Sequence, residues 1–279
     1  MNPSHEQTSI LTPEATLHYK KVDEASRLTR VENEIELVRT RELVARFLPS
    51  SATVLDVGGG AGIHAFWLAE QGHHVHLIDA VPRHIEQAKE TARQSDHSRL
   101  TMEVGDARCL SAADASFDAV LLFGPLYHLT EREDRLACLQ EAFRVMRPGG
   151  LMFAVGISRF ISTINCLSSE TIDDPQFQVV VAGDLKDGQH RNPTSDHDPA
   201  YFTTTFFHHP DELSEEVIQA GFHLESLLAV EGPARLLGNF AEHWIDDKKR
   251  EWLLEMVRKV EAEPHLLGVS THLMAVAHR

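Results

Sequence analysis

The sequence predicts an α/β fold with a mostly parallel β-sheet, and two observations carry this prediction. The first is the segment 54–62, VLDVGGGAG, where a short apolar run precedes four closely spaced glycines. Apolar residues at helical spacing follow it, and a strand, a glycine turn and a helix form the opening of a βαβ unit. The second is that strand and helix patterns keep alternating to about residue 158, which is typical of a parallel sheet.

The core elements follow from hydrophobic periodicity, with proline and glycine marking their ends. An unbroken apolar run, such as the one in the fourth strand, favours a strand that is buried on both faces. The strands are predicted at 54–57, 74–78, 100–104, 117–123 and 151–157. The helices between them are predicted at 63–71, 82–93 and 132–146.

Four regions are predicted from these patterns. Residues 1–40 form an N-terminal helical segment, residues 41–158 form the core, and residues 205–279 complete the core sheet. Between them, residues 159–204 are rich in turn-forming pairs such as Asp-Pro, Asp-Gly and Asn-Pro, which predicts an irregular insertion. Further helices are predicted at 13–30, 32–47, 210–220 and 240–263, and further strands at 224–231 and 272–277.

Composition favours a globular protein without a phosphate-rich partner. The 279 residues are 42% hydrophobic and 24% charged, with a net charge of −16. Nucleic-acid binding relies on clustered Lys and Arg, so no nucleic-acid partner is expected. The three cysteines form no paired motif, the N-terminus has no apolar signal core, and no apolar run is long enough for a bilayer. We therefore expect a cytoplasmic protein with no membrane partner, and a homodimer is possible.

The glycine turn predicts a ligand that carries a ribose. Glycine reaches positive φ at little cost and lets a ligand press against bare backbone. Asp79 lies at the tip of the second strand, about 20 residues beyond the glycines, where an acid grips a ribose diol. Dinucleotides and S-adenosylmethionine both carry such a ribose, and the glycine turn alone leaves the two open.

Five features in order resemble the class I S-adenosylmethionine-dependent methyltransferases. Segment 56–62 is similar to the family's acidic-x-Gly-x-Gly-x-Gly motif, and Asp79 matches its ribose-binding acid. Gly-Asp-Ala at 105–107 resembles the segment that meets the adenine. Segment 117–123 resembles the fourth strand, and the turn at 147–151 resembles the turn into the fifth.

This resemblance, which covers roughly residues 40–158, implies a Rossmann-like three-layer sandwich. The sheet would have seven strands, the last one antiparallel, and S-adenosylmethionine would be the cofactor. The N-terminal helices would cover the cofactor as a lid, and the insertion at 159–204 would cover the substrate. Arg39 on the second helix would reach the cofactor's carboxylate, although a surface arginine is an open alternative. The implied cofactor-binding residues are Asp56, Gly58, Gly60, Gly62, Asp79, Ala80, Asp106, Ala107, Phe123 and Arg39.

The loop after the fourth strand is the predicted place of methyl transfer, because that loop lines the active site in the resembled family. His128 is the candidate general base, since an unperturbed imidazole has a pKa near ~6.5. Tyr127 would orient or pack against the acceptor, and a capping or loop role for His128 stays open. The candidate substrate contacts are Tyr19, Arg27, Tyr201 and His208.

The same loop narrows the range of molecules that could accept the methyl group. It carries neither the (Asp/Asn)-Pro-Pro-(Tyr/Phe) signature of amino methylases of bases nor the Pro-Cys nucleophile of cytosine-C5 enzymes. Together with the acidic charge, this favours O- or N-methylation of a small-molecule acceptor. The eighteen histidines form no recognised metal-ligand set, so no metal site is predicted.

Two alternatives remain at this stage. A non-catalytic S-adenosylmethionine-binding module or partner subunit would keep the same binding residues. A short-chain oxidoreductase is disfavoured, because no tyrosine is followed four residues later by lysine.

Overall fold

The structure is a computed structural model that describes residues 12–22, 24–94, 98–168 and 170–279. The first eleven residues of the predicted N-terminal segment lie outside these ranges. The β-strands are β1 Thr53–Val57, β2 His74–Asp79, β3 Leu100–Val104, β4 Phe117–Leu122, β5 Met146–Ser158, β6 Gln189–His190, β7 Thr205–His208, β8 His223–Ala229 and β9 His272–His278. The α-helices are α1 Pro13–Lys21, α2 Glu34–Phe47, α3 Ile63–Glu70, α4 Pro82–Arg93, α5 Pro125–His128, α6 Arg132–Val145, α7 Ile161–Ser168, α8 Pro175–Asp187, α9 Pro210–Gln219, α10 Phe240–Trp244 and α11 Asp247–Val260.

The main sheet has the strand order β3-β2-β1-β4-β5-β9-β8. Strands β1 to β5 are parallel, whereas β9 runs antiparallel to both β5 and β8. The predicted mostly parallel sheet with an antiparallel last strand is therefore confirmed, but its predicted count of seven strands is too low, because β7 and β6 also join the sheet and bring the described strands to nine. The carboxyl ends of β1, β2 and β4 meet at one edge, which is where ligands bind in open α/β sheets.

Two apolar layers cover the sheet, because successive strand residues point to opposite faces. On one face, Leu55 and Val120 pack with buried residues of α6 and α9, including Leu139 and Leu213. On the other face, the neighbouring residues of the same strands pack with α2, α3 and α4. The result is the predicted three-layer sandwich.

The prediction of an irregular insertion at 159–204 is wrong, because α7 and α8 lie within it. The Asp-Pro pair at 174–175 and the Asp-Gly pair at 187–188 are in fact the two ends of α8. Asp174 accepts a hydrogen bond from the N–H of Gln176 at the start of the helix, and Gly188 ends it with φ 73°. Asp-Pro and Asp-Gly have the same sequence signature in a turn and at a helix end.

A two-stranded ribbon lies beyond the end of β4. Ile157 of β5 pairs with His272 of β9 on one side and with Phe207 of β7 on the other. Since the last residues of β5 extend past their pairing with β4, β7 takes the place next to them, and β6 pairs antiparallel with β7.

Two predicted long helices are interrupted. The helix predicted at 13–30 consists of α1 and a 3-10 helix at Glu24–Thr29. The helix predicted at 240–263 is divided by Asp246, whose carboxylate caps α11. Within the described part of the chain, none of the helices combines the length and the apolar character needed to cross a bilayer.

Candidate active site

A cavity of about 840 Å³ lies at the carboxyl ends of the parallel strands. The glycine turn after β1, the tips of β2 and β4 and the loop after β3 form one part of its wall. Residues of α1, the 3-10 helix, α2, α3, α5 and the first residue of β9 form most of the rest. We call the first part the cofactor end and the second the acceptor end.

Asp79 organises the cofactor end. Its Oδ2 accepts a hydrogen bond from the N–H of Gly60 at 2.8 Å, and its Oδ1 accepts one from the N–H of Val81 at 2.8 Å. The Nδ1 atom of His84 lies 3.0 Å from the same Oδ1. The carboxylate therefore ties the glycine turn to the start of α4 while it lines the cavity.

The glycine turn leaves space for a ligand at one position in particular. Gly60 has φ +59°, and a Cβ there would meet no atom within 4 Å, because the residue faces the cavity. A Cβ at Gly58 would lie 2.7 Å from Cδ of Pro125, so this glycine allows the loop after β4 to pack against the turn. A bare cradle beside an acid at a strand tip fits an adenosyl ligand.

Asp106 lines the cofactor end together with Ala80, Ala107 and Phe123. Its carboxylate pairs with Arg108 at 2.7 Å, and Arg108 also pairs with Asp134 at 3.0 Å. Burial would raise the pKa of Asp106, but the Arg108 guanidinium outweighs it and lowers that pKa. Asp106 is thus an ionised hydrogen-bond acceptor at pH 7.

Two predicted cofactor residues, Asp56 and Gly62, lie behind the glycine turn and do not line the cavity. Both carboxylate oxygens of Asp56 are buried without a hydrogen-bond partner in the described chain. Burial, followed by repulsion from Asp79, raises the pKa of Asp56 to about 7.

Arg39 does not lie at the cavity, contrary to the prediction. It is fully buried, and its guanidinium binds Glu42, Glu261 and the carbonyl of Val230. Helical spacing explains this position, because Ile35 and Leu43 lie one turn away from Arg39 on either side and are both buried.

Arg41, which the sequence analysis missed, does line the cavity. Its guanidinium lies 5.2 Å from the centroid of the Trp67 ring and donates to the carbonyl of Ile63 at 3.0 Å. The Nε atom is buried and has no partner among the described residues. A cation with unused hydrogen-bonding capacity is therefore available to an anionic group of a ligand.

Tyr127 and His128 are brought to the cavity as predicted. The Tyr127 hydroxyl donates to the carbonyl of Phe123 at 2.8 Å, which fixes the loop after β4. The Nε2 atom of His128 lies 2.6 Å from the hydroxyl of Tyr19, and its Nδ1 is buried without a partner in the described chain. Burial is the largest cause that lowers the pKa of His128 to about 4, so this imidazole is neutral at pH 7.

The four predicted substrate residues divide into two pairs. Tyr19 and Arg27 line the cavity. Tyr201 does not, because its hydroxyl donates to Asp174 at 2.6 Å. His208 does not either; it is buried against Glu216, which also pairs with Arg135. Within the described residues, the insertion at 159–204 contributes nothing to the cavity wall.

The acceptor end also contains Glu36 and His272, two residues that sequence reasoning missed. Arg27 forms a two-point ion pair with Glu36, at 2.8 and 2.9 Å. His272 lines the cavity and lies 2.6 Å from a carboxylate oxygen of Glu231. Neither pair has a sequence signal, because the partners come from separate elements and share no motif.

His64 is a third missed residue of this end. It lies edge-on to the Phe123 ring, with 5.2 Å between the centroids. Burial lowers the pKa of His64 to about 3, so it is a neutral polar group at the cavity wall.

Comparison with known proteins agrees with this site. Residues 54–150 match a family model described as a methyltransferase domain. This segment is a methyltransferase domain of the class I S-adenosylmethionine-dependent kind. The matched segment contains the glycine turn, Asp79 and Asp106, and the cofactor of the family is S-adenosylmethionine.

Curated relatives match over the same core. A ubiquinone biosynthesis O-methyltransferase of Methylocella silvestris is 38% identical over 114 residues, covering 39% of this chain and 41% of the relative. An S-adenosyl-L-methionine-dependent Diels-Alderase of Talaromyces variabilis is 32% identical over 115 residues, covering 40% of this chain and 38% of the relative. The match thus spans about two fifths of the length of each of these two curated relatives.

The fold extends further than the sequence match. The crystal structure of an S-adenosylmethionine-dependent methyltransferase from Methanosarcina mazei superposes with a TM-score of 0.58. The superposition covers 85% of this chain and 96% of the other, with 18% identity. At that identity the likeness concerns the methyltransferase fold alone.

Proposed function

We propose that this protein transfers the methyl group of S-adenosylmethionine to a small-molecule acceptor, by O- or N-methylation. The observation that carries the proposal is the single cavity of about 840 Å³, which joins Asp79 and Asp106 to a second group of polar residues. Sites for small molecules typically have about 300–1,000 Å³, so this one has room for more than the cofactor.

The cofactor end supports specific roles. The ribose hydroxyls would bind Asp79, the adenine amino group would bind Asp106, and the cofactor's carboxylate would bind Arg41 in place of Arg39. The cofactor supplies a methyl group that is already activated as a sulfonium. The protein therefore acts mainly by holding two molecules in line and excluding water.

The acceptor end supports a small molecule. Its wall is formed by side chains within the cavity, such as Tyr19, Glu36 and His128, rather than by an open basic surface. The net charge of −16 disfavours a nucleic-acid acceptor. A cytoplasmic location, the absence of a membrane partner and a possible homodimer remain part of this proposal.

The test combines binding and turnover. Calorimetry on the purified protein should show micromolar binding of S-adenosylmethionine, about −8 kcal/mol, and no comparable binding of NAD. Incubation with methyl-labelled cofactor and a panel of phenols, enols and amines should give a labelled product, detected by mass spectrometry.

Three outcomes would contradict the proposal. Cofactor binding without labelled product across the panel would favour a non-catalytic binding module. Conversion of a substrate without consumption of the cofactor would favour an activity like that of the Diels-Alderase relative. Tight NAD binding without a response to S-adenosylmethionine would favour an oxidoreductase.

A further inference from the structure

A histidine and a carboxylate form a buried pair at the acceptor end. The Nδ1 atom of His272 lies 2.6 Å from Oε1 of Glu231, and the backbone N–H of His272 donates to Oε2 of the same carboxylate at 3.0 Å. Ser270 also donates to that Oε2, at 2.9 Å. These contacts fix the imidazole on a carboxylate that is itself fully buried.

The other ring nitrogen of His272 is available to a ligand. Its Nε2 has no hydrogen-bond partner among the described residues, and the residue lines the cavity together with Val155 and Phe123. When a carboxylate holds Nδ1–H, the neutral imidazole presents its lone pair on Nε2. A proton acceptor is thus preformed at the cavity wall.

The charges around His272 favour protonation of its imidazole. Two carboxylates face it, Glu231 at 2.6 Å and Glu36 at 3.9 Å, and the nearest cation is Arg27, which pairs with Glu36. Arg235 acts on Glu36 from farther away. Both carboxylates stabilise a proton on His272, and their attraction exceeds the opposing effect of Arg27.

The pKa values of the cavity histidines point in the same direction. Burial alone would lower the pKa of His272, but Glu36 and Glu231 outweigh it and raise that pKa. At His128 and His64, burial outweighs the effects of Asp79 and Glu36 and lowers the pKa values to about 4 and about 3. Of these three imidazoles, His272 is the one best suited to accept a proton near neutral pH.

We propose that His272, oriented by Glu231, is the general base of the reaction and that the acceptor is a phenolic or enolic hydroxyl. This rests on the function proposed above and narrows it to O-methylation. The acceptor oxygen bonds to the methyl carbon, the methyl–sulfur bond breaks, and its electron pair stays on sulfur. The acceptor's proton passes to Nε2 of His272 and later to solvent. A neutral amine already has its attacking lone pair and needs no base before attack.

The main test compares His272→Asn with a matched control, His278→Asn. His278 lies on the same strand and pairs with Glu225 at 2.7 Å, but it does not line the cavity. With a hydroxyl acceptor, His272→Asn should lower kcat by about 10²–10⁴-fold and leave the Kd for S-adenosylmethionine unchanged. His278→Asn should retain both values.

The pH profile separates a base from a structural residue. In the parent protein, kcat/KM should fall as the pH falls through the pKa of His272, because the protonated imidazole cannot accept a proton. Glu231→Gln should move this fall to lower pH, since the imidazolium loses its partner, whereas His128→Asn should leave it in place. If His272→Asn folds poorly, the shift in Glu231→Gln and an NMR titration of the His272 ring in the parent provide the readout.

Several results would overturn the proposal. One is that His272→Asn keeps both the kcat of the parent and its fall of kcat/KM at low pH. A second is that this fall at low pH disappears in His128→Asn instead. A third is activity that is abolished by a chelator and restored by Zn²⁺ or Mn²⁺, which would assign this cluster to a metal ion. Labelling of an amine but not of the hydroxyl analogue would also overturn it, while O- or N-methylation itself would stand. If no acceptor is labelled at all, the result contradicts the proposed methyltransferase function, and with it the assignment of His272 as its base.

Discussion

The cofactor end and the acceptor end of the cavity are built in different ways. The cofactor end comes from three neighbouring strand tips, and its main residues fall between Gly58 and Arg108. The acceptor end brings together α1, α2, α3 and the start of β9, so that Tyr19 and His272 share one wall although most of the chain separates them. The first end is a local consequence of the sheet, whereas the second depends on how the chain termini pack onto it.

The largest effect is expected from Gly60→Val, which fills the cradle of the cofactor end. The control is Gly149→Val, because Gly149 also has a positive φ, +78°, and also has open space around its Cβ, but lies outside the cavity. Both variants strain the backbone by placing a valine at positive φ. The difference between them therefore measures the steric clash of the new side chain with the cofactor. Calorimetry should show about 100-fold weaker cofactor binding in Gly60→Val alone, roughly 3 kcal/mol. Equal losses in the two variants would mean that only strain matters.

The next effect in size is expected from Asp79→Ala. Loss of the carboxylate leaves ribose hydroxyls unpaired in a buried site, which costs about 1–3 kcal/mol, or roughly five- to 150-fold in Kd. Asp118→Ala is the control, since Asp118 accepts a backbone N–H from Thr53 at 2.8 Å but does not line the cavity. An unchanged cofactor Kd in a folded Asp79→Ala would refute the ribose assignment.

Arg41→Gln, on α2, tests whether this arginine binds the carboxylate of the cofactor. The loss of a charge-assisted contact to the cofactor's carboxylate should weaken binding about tenfold, since hydrogen bonds to charged groups contribute about 1.5–3 kcal/mol. Arg39→Gln should leave the Kd unchanged and lower the midpoint of thermal unfolding, because it leaves Glu261 buried with fewer partners. If Arg39→Gln weakens cofactor binding while Arg41→Gln does not, the roles assigned to the two arginines are reversed.

The smallest effect is expected from Tyr19→Phe, at the acceptor end. The variant loses one hydrogen bond to His128, worth about 0.5–1.5 kcal/mol, so the acceptor KM should rise two- to tenfold at an unchanged cofactor Kd. Tyr201→Phe removes a hydroxyl that is bonded to Asp174 outside the cavity and should leave both values unchanged. A rise in the cofactor Kd of Tyr19→Phe would show that the two ends are not separate.

The sequence was sufficient for the sheet and for most of the cofactor end. Gly60 and Asp79 lie in a strand–turn–helix unit whose geometry is local, so their spacing alone predicts their positions. The helix α8 was missed because its Asp174 and Gly188 caps have the composition of turns.

The acceptor end was harder because a residue on a helix can face either the core or the cavity. Arg39 and Arg41 are two residues apart, which on an α-helix means nearly opposite directions, and only the packing of α2 shows which one meets the cavity. The pairing of His272 with Glu231 depends on β8 and β9 lying side by side, which no short motif records.

The position of α1 has a kinetic consequence. Tyr19 contacts His128 on the core, while Lys21 donates to the carbonyls of Asp196 and His197 in the insertion. His18 packs edge-on against the Phe202 ring, with 5.3 Å between the centroids. Because α1 joins the loop after β4 to the insertion and also lies on the cavity wall, we expect it to move when either ligand leaves. We expect the cofactor product and the methylated acceptor to dissociate through one shared opening step, with a common temperature dependence.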